Sequence, residues 1–529
     1  MKDCHQRSLK KIILLGSLIV ILSGCFKGGP DFTRPRVSVS QTWLDAGDQR
    51  VRAEAADDRA WWKAFHDPVL DGLIDRAYRE NLSLRIAGVR VLQARAQLGI
   101  TAGEIYPQTQ RAFGSVEYNR ISQRAPQEVS GQNPKYWQSE IGLQASWELD
   151  FWGKFRRAIE SDSAAWLATV ADYDNALVSL TADVARSYIG IRTLERRLSI
   201  ARQNVLIQQQ SLEIAEAKLR FGATSQLDVD QAKTVLHNTL ASIPAFEAGL
   251  RQAKNTLSVL LGEPPSDLKD LLPEAIEIPV SPPYVVVGIP ADLLRRRPDI
   301  RSAELQAETQ CSLIGVAKAA LYPAFSLSGI FGFLSSDVGN FKLSDMFKWK
   351  SRTIQTGPSV QWNLFNYGRI TNDVRLQDAR LQELLIAYQN TVLTAQREVE
   401  DNLIAFLKTQ DRAESLAQST SAAQSSFDLA LLQYREGIKD FTTVLLAQQT
   451  LLTQQDNLAI TLGDVSTNLV GVYKALGGGW EIREGEDLVP SEVKGEMAKR
   501  TNWGNLLAPA AYNPPASEQP RSLIRSPDW

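Results

Sequence analysis

The sequence predicts a mainly helical, internally duplicated protein with a small transmembrane β portion. Two long segments carry apolar residues at heptad spacing, which is typical of extended helical hairpins. One repeat offset relates residues throughout the two halves of the chain. Two further segments alternate apolar and polar residues, as membrane-spanning strands do.

The first long segment, Arg156 to Arg220, contains no proline and a single glycine, Gly190. As a helix it would form a rod of about 100 Å, far longer than the helices of globular domains. A turn at residues 221–224 leads into a return helix that extends to Leu261. Aliphatic residues occupy every seventh position of the rod: Leu177, Val184, Ile191, Leu198, Val205, Leu212 and Leu219. This spacing predicts a coiled-coil seam.

The same element occurs a second time. Adding 215 to the seam positions gives Val392, Val399, Phe406, Ala413, Thr420, Phe427 and Tyr434. The offset also carries Trp147 onto Trp362 and Gly222 onto Gly437, and an offset of 216 carries Tyr106-Pro107 onto Tyr322-Pro323. Heptad composition alone could produce two similar seams, but it would not place tryptophan, glycine and Tyr-Pro at matching positions. We therefore infer an internal duplication. The second long helix is predicted from Ile370 to Arg435, with its return from Phe441 to Leu476.

A pair of alternating segments lies ahead of each long helix. Residues 139–149 and 354–364 each alternate over about eleven residues, the length of a transmembrane strand. Weaker partners are predicted at 111–119 and 325–333, with loops at 120–135 and 335–350. A small soluble sheet with one polar face is the alternative. Four strands cannot close a barrel in lipid, because open edges there find no water, so the chain is expected to oligomerise. Two copies would supply eight strands and three would supply twelve.

Composition offers little for catalysis. The net charge of −2 suggests no polyanionic partner, and the three His and three Cys lack metal-ligand spacing. An enzyme would need a cluster of acid, base or nucleophilic side chains, which the sequence does not suggest. We therefore predict that the protein is not an enzyme and has no cofactor, catalytic site or metal site.

The first 24 residues are typical of a signal peptide, with basic residues ahead of an apolar run that is short for a membrane span. They end in Leu22-Ser23-Gly24-Cys25, which resembles the bacterial lipobox. That resemblance implies cleavage before Cys25 and its acylation with S-diacylglycerol and an N-acyl chain. Phe26 in the next position favours the outer membrane. An ordinary signal peptide with an incidental cysteine is the alternative.

These features divide the chain into six parts. Residues 1–24 are the signal peptide, and 25–80 form an extended segment with a first helix. Residues 81–262 and 298–476 are the two repeats, joined by the proline-rich linker 263–297, and residues 477–529 form a tail expected to be largely irregular or disordered. The run Arg295-Arg296-Arg297 ends the linker. It could contact nucleic acid, but Pro298 and Asp299 favour the start of a helix.

Together, Leu-Ser-Gly-Cys, Gly29-Pro-Asp-Phe-Thr-Arg-Pro35, the duplicated Tyr-Pro strands and the segment 288–301 resemble the TolC-like outer-membrane efflux family. The match is closest to the lipoprotein branch that serves resistance–nodulation–division pumps. The resemblance implies a homotrimer with a twelve-stranded outer-membrane β-barrel and a periplasmic α-barrel. It also implies passive export of small molecules, with a periplasmic adaptor (membrane fusion) protein and an inner-membrane transporter as partners. An outer-membrane channel for type I protein secretion and a lipid-anchored coiled-coil spacer are the alternatives.

The resemblance places candidate sites at the two hairpin turns. The turns are expected to dock the adaptor through Arg220, Phe221 and Gly222 in the first repeat and Arg435, Glu436 and Gly437 in the second. Relatives narrow the entrance with acidic residues at the second turn, where this chain has Lys439 followed by Asp440. Three such carboxylates in a ring would favour cations. Asp228 and Asp230 could line the entrance as well, but their positions favour a helix N-terminus.

Overall fold

The structure is a computed structural model that describes residues 27–52, 54, 59–122, 124, 134–273 and 277–508. The predicted signal peptide, the lipid attachment at Cys25 and tail residues 509–529 lie outside these ranges. The side chains of Asp292, Leu294 and Arg295 are likewise not described.

The first repeat follows a short entry helix, α1 (Pro68–Glu80), whose N-terminus is capped by Asp67. Helix α2 (Leu82–Gly103) leads to strands β2 (Thr109–Arg120) and β3 (Lys135–Glu148). The long helix α3 (Lys154–Arg220) and its return α4 (Gln226–Leu260) complete the repeat. The predicted rod and hairpin are confirmed.

The second repeat has the same elements in the same order. It consists of α5 (Pro298–Ala319), β5 (Ala324–Ser336), β6 (Arg352–Gln361), α6 (Arg369–Arg435) and α7 (Phe441–Leu476). Helices α3 and α6 are both 67 residues long, and α2 and α5 are both 22. These matched lengths confirm the duplication.

Both hairpins turn through a glycine in the left-handed region, with φ of +72° at Gly222 and +76° at Gly437. Other residues rarely adopt this conformation, which lets the chain leave a helix abruptly. The Ala223 amide then donates to the Lys218 carbonyl, and the Ile438 amide donates to the Gln433 carbonyl. The turns are therefore the same C-terminal capping motif, used once in each repeat.

The core lies mainly beside the middle of the long helices. One large cluster joins seam residues such as Leu177, Ile191 and Val399 with aromatic residues near both chain ends, including Trp61 and Trp480. A second, smaller cluster joins the tips of the two hairpins. The predicted seams thus pack inside the chain, as coiled-coil knobs would.

Two parts of the irregular segments are more ordered than predicted. Within the linker, β4 (Val285–Val286) pairs in parallel with β1 (Val51–Arg52) from the N-terminal segment. The prediction of an irregular tail is wrong within three segments, which form helix α8 (Ser491–Arg500) and two short 3₁₀ helices, Trp480–Arg483 and Gly504–Leu507. Val489 and Met497 pack against Leu92 of α2, and this tertiary burial outweighs the weak local helical signal.

The long strands form one antiparallel sheet in the order β2-β3-β5-β6. The two repeats meet at the β3–β5 pairing, where Leu143 lies opposite Phe331. Strand β3 ends at Glu148 and β6 at Gln361, so Trp362 and Leu364, which the alternation had included, lie beyond the last strand. Among the helices of the described ranges, none combines the length and apolarity needed to cross a membrane.

Candidate functional site

The strand register gives the sheet two unlike faces. Residues that lie opposite one another share a face, so one face collects the apolar side chains: Val116, Tyr118, Trp137, Ile141, Leu143, Trp147, Leu327, Phe331, Phe333, Ile354 and Val360. The other face is mainly polar, with Phe113, Tyr136, Ile330 and Leu334 as apolar or aromatic exceptions. Its other residues include Arg111, Ser115, Gln138, Glu140, Gln144, Ser326, Gln355 and Ser359. One face suits lipid and the other suits water.

Aromatic residues mark both ends of the apolar face. At the end near the helices, the indole N–H of Trp147 donates to the Ile105 carbonyl and that of Trp362 donates to the Leu321 carbonyl, each at 3.0 Å. At the far end, Tyr118 and Trp137 pack with ring centroids 5.2 Å apart. Trp137 and Trp147 are ten residues apart on β3. That separation is roughly 33 Å of strand, or about 25 Å across a membrane at the usual barrel tilt.

The sheet does not close within one chain. In the part of the chain that the structure describes, β2 and β6 each pair on one side only. The short and long helices follow the same order as the strands, because α2 packs on α3, α3 on α5 and α5 on α6. The apolar residues Leu376, Ile386 and Leu393 remain exposed on α6. Both the sheet and the helical layer therefore end in faces that require a partner.

The hairpin turns lie side by side at the opposite end of the chain from the sheet. The Lys218 ammonium donates to the Tyr434 carbonyl and lies 4.1 Å from the centre of the Tyr434 ring, which joins the two hairpins. Arg220, Gly222, Arg435, Glu436 and Gly437 are all exposed. Phe221 is 87% exposed, so the predicted docking residues form one accessible surface with an apolar side chain on it.

Asp440 serves as the N-cap of α7. Its carboxylate accepts hydrogen bonds from the Thr443 amide at 3.2 Å and the Thr443 hydroxyl at 2.6 Å. These bonds, chiefly that from the hydroxyl, lower the pKa of Asp440 below its usual value, and nearby Lys439 adds to the effect. The carboxylate therefore stays charged at neutral pH and faces solvent beside the exposed Lys439.

Of the two acidic residues beside the first hairpin turn, Asp228 belongs to the start of a helix. Asp228 lies in the first turn of α4 and accepts a hydrogen bond from the Thr224 hydroxyl. Asp230 accepts a hydrogen bond from Gln226 at 3.0 Å. The helix-terminus interpretation of Asp228 is confirmed.

Arg297, the last residue of the basic run, has a structural role. Arg297 is buried, forms ion pairs with Asp299 and Glu398, and donates to the Ala475 carbonyl at 2.8 Å. In the first repeat, Asn81 occupies the equivalent position and donates to the Leu260 carbonyl at 2.9 Å. Each residue thus ties the start of a short helix to the end of the return helix in its own repeat.

A buried charge cluster was not predicted from the sequence. Asp174 of α3 is fully buried and pairs with Arg301 of α5 and with Arg483 from the tail. The available signal was an aspartate inside an apolar stretch of the rod, but its two partners lie far away along the chain. This cluster fixes the tail to the centre of the molecule.

The comparisons with known proteins agree with this architecture. The sequence profile described as "Outer membrane efflux protein" matches residues 73–263 and 289–478, one match to each repeat. The pyoverdine export outer membrane protein OpmQ of Pseudomonas aeruginosa is 32% identical over 487 residues, covering 90% of this chain and 98% of OpmQ. The solvent efflux pump outer membrane protein SrpC of Pseudomonas putida is 31% identical, covering 88% of this chain and 98% of SrpC.

Solved structures show the same fold. The outer-membrane channel OprN has a TM-score of 0.80 at 31% identity, covering 86% of this chain and 99% of OprN. The open state of the Neisseria gonorrhoeae outer membrane channel MtrE has a TM-score of 0.70 at 26% identity, covering 86% of this chain and 98% of MtrE. The chain therefore belongs to the outer membrane efflux protein family and is a protein of the bacterial outer membrane.

Proposed function

We propose that three copies of this chain form a passive exit duct through which a pump exports small molecules across the outer membrane. The observation that carries the proposal is the open sheet with one apolar and one polar face. Twelve strands would place the apolar faces in lipid and the polar faces around a water-filled lumen. The exposed face of α6 would pack on α2 of the next copy, just as α5 packs on α3 within one chain.

The predicted lipid attachment at Cys25 would fit this orientation. The Gly28 amide donates to the Trp152 carbonyl at 3.0 Å, which holds the N-terminal segment at the helix end of the sheet. Cys25 is three residues earlier, within about 10 Å of extended chain. An acylated Cys25 would insert in the inner leaflet, so the helices would extend into the periplasm and the strand loops would face outward.

The hairpin tips would receive a periplasmic adaptor protein, and an inner-membrane transporter of the resistance–nodulation–division class would supply the energy. The exposed tip surface supports this, because three large apolar side chains at the two turns, Phe221, Leu227 and Ile438, are exposed, and a group of exposed apolar side chains marks a protein contact. The relatives are named for pyoverdine export and for solvent and toluene efflux, which favours small organic molecules as the cargo class.

Planar-bilayer recording of the full-length protein, purified in detergent, tests the proposal. We expect a trimer by light scattering and a stable conductance once the periplasmic tips open. Because a closed entrance would also give low conductance, the same recording is made with Gly222→Pro and Gly437→Pro together, which disrupt both tip turns. A monomer that conducts in neither form would overturn the channel and favour the lipid-anchored spacer.

A further inference from the structure

The loop between β5 and β6 lies at the outward end of the sheet and folds back over the apolar face. We call residues 337–351 the outer loop. The Ser335 hydroxyl donates to the Lys342 carbonyl at 2.9 Å, and the Ser139 hydroxyl contacts the Met346 sulfur at 3.5 Å. Ser139 and Ser335 lie opposite each other in the strand register. Their small side chains are both buried, and the outer loop packs against them.

An aromatic contact also places the outer loop over the apolar face of the sheet. The rings of Phe347 and Phe333 have centroids 6.1 Å apart, and Phe333 lies on the apolar face of the sheet. The outer loop therefore lies on the side of the sheet that faces lipid, near the level of the aromatic pair Tyr118 and Trp137 that marks the outward boundary.

Aromatic and basic side chains are neighbours in the sequence among the exposed residues of the outer loop. Phe341 is 72% exposed, Phe347 74% and Trp349 66%. Lys342, Lys348 and Lys350 follow these residues or lie between them and are exposed as well. Aromatic rings favour the boundary between lipid tails and headgroups, and ammonium groups favour phosphate.

The charges of this segment are incompletely balanced. The outer loop contains three cations and two carboxylates, a net charge of +1. Asp337 accepts from the Trp137 amide, and Asp345 pairs with Lys348 at 2.8 Å. Neither Lys342 nor Lys350 has an ion pair among the described residues. At the helix end of the sheet, by contrast, Lys154 pairs with Glu148 and Arg156 pairs with Asp150.

We propose that the outer loop binds a phosphate-bearing lipid of the outer leaflet, an acylated sugar phosphate of the lipid A type. Phe341, Phe347 and Trp349 contact the acyl chains where they meet the headgroup, and Lys342 and Lys350 bind the phosphates, with Lys348 shared between phosphate and Asp345. This inference rests on the membrane orientation given under the proposed function.

The first test measures binding of bisphosphorylated lipid A to the full-length trimer in detergent by native mass spectrometry. Replacing Lys342, Lys348 and Lys350 by Gln removes three cations from the outer loop. We expect binding to weaken about a hundredfold, from the usual contribution of a lysine near an anionic lipid surface. Lipid A stripped of its phosphates should bind the wild type and the variant equally.

The matched control removes three exposed lysines that lie outside the sheet, through Lys233→Gln, Lys269→Gln and Lys499→Gln. This control should bind lipid A as the wild type does. An equal loss in the control, or equal binding of phosphorylated and dephosphorylated lipid to the wild type, would overturn the proposal. Displacement by millimolar inorganic phosphate would also overturn it, because the ligand would then be phosphate without the lipid.

A second measurement locates the aromatic residues. Acyl-brominated lipid should quench the fluorescence component that Trp349→Phe removes, whereas aqueous iodide should not. Quenching by iodide alone would place Trp349 in water and contradict the proposal. Planar-bilayer conductance separates the two hypotheses. A conducting lysine variant with unchanged lipid binding refutes only the outer-loop site. A protein that conducts neither as the wild type nor with Gly222→Pro and Gly437→Pro together refutes the channel.

Discussion

The long helices α3 and α6 have the same length and heptad spacing but different surroundings. Helix α3 packs against α2, α4, α5 and α7 and buries charged residues such as Asp174. Helix α6 packs mainly on α5 and α7, and its other side exposes leucine and isoleucine. Val178 of α3 is 3% exposed, whereas its equivalent Leu393 of α6 is 57% exposed.

This difference is what the proposed ring of three chains requires. Among the residues that the structure describes, the first repeat covers its long helix with other elements of the chain, and the second leaves the equivalent face exposed. A bare apolar face costs free energy in water, so it is expected to be covered by the next copy. Stability within the subunit should therefore depend more on α3, and assembly more on α6.

The largest expected effect comes from charged substitutions that separate the role of α3 in folding from the role of α6 in assembly. Val178→Asp places a charge in the core and should abolish folding, because an unpaired buried carboxylate has no compensating partner. Leu393→Asp should leave the subunit folded and prevent trimer formation. Circular dichroism and light scattering in detergent measure both, and a stable Leu393→Asp trimer would contradict the assignment of this face.

The next effect concerns the buried charge cluster. Asp174→Ala leaves Arg301 and Arg483 without their shared carboxylate and should destabilise the subunit by about 3–5 kcal/mol. The equivalent residue in α6 is the exposed Gln389, and Gln389→Ala should change stability by about 0.5 kcal/mol or less. Denaturant unfolding measures both variants, and similar losses would show that the cluster is not special.

A smaller difference in stability is expected between alanine variants of Arg297 and Asn81, which connect the short helix to the return helix in their own repeats. Arg297→Ala loses two ion pairs and a bond to the Ala475 carbonyl, and should cost about 2–3 kcal/mol. Asn81→Ala loses a helix cap and the bond to Leu260, and should cost about 1–2 kcal/mol. Arg297→Lys keeps the charge but not the two-pronged contact with Asp299, so its stability should lie between the wild type and the alanine variant. A larger loss for Asn81→Ala would reverse the expected ranking.

The smallest effect concerns ion selectivity at the second turn. Asp440→Ala should reduce the cation preference of the pore, measured as a reversal potential, and Ser225→Ala at the equivalent position of the first turn should not. Because the pKa of Asp440 is below the usual 3.8 of an aspartate, the cation preference should persist at neutral pH and decline only below pH 3.8. The contribution of the ionised Asp440 carboxylate to the stability of the folded protein changes with pH in the same direction. It is fully present above the pKa of the unfolded state and is lost as the pH falls through the lower pKa of the folded state.

Thr443→Val sharpens this test. It removes the hydroxyl donor that contributes most to the lowered pKa, so the loss of selectivity should move to higher pH. A pH profile unchanged from that of the wild type would place the selective carboxylates elsewhere on the turns.

The sequence alone determined the repeated elements of this protein. Heptad spacing without proline specified both long helices, glycines at one offset specified both turns, and alternation located the strands to within a few residues. These features depend on local periodicity, which decides which residues share a face. The outer-membrane family also followed from motifs that can be recognised in the linear chain.

Only the tertiary structure decided what each face contacts. The sequence placed Asp440 at a turn, but the structure made it a helix cap. It placed Arg297 in a basic run, and the structure buried it between Glu398 and Ala475. The folded tail, the Asp174 cluster and the position of the outer loop over the apolar face are likewise set by tertiary contacts. Each depends on residues distant in the chain, and periodicity identifies an apolar or charged face without specifying what will cover it.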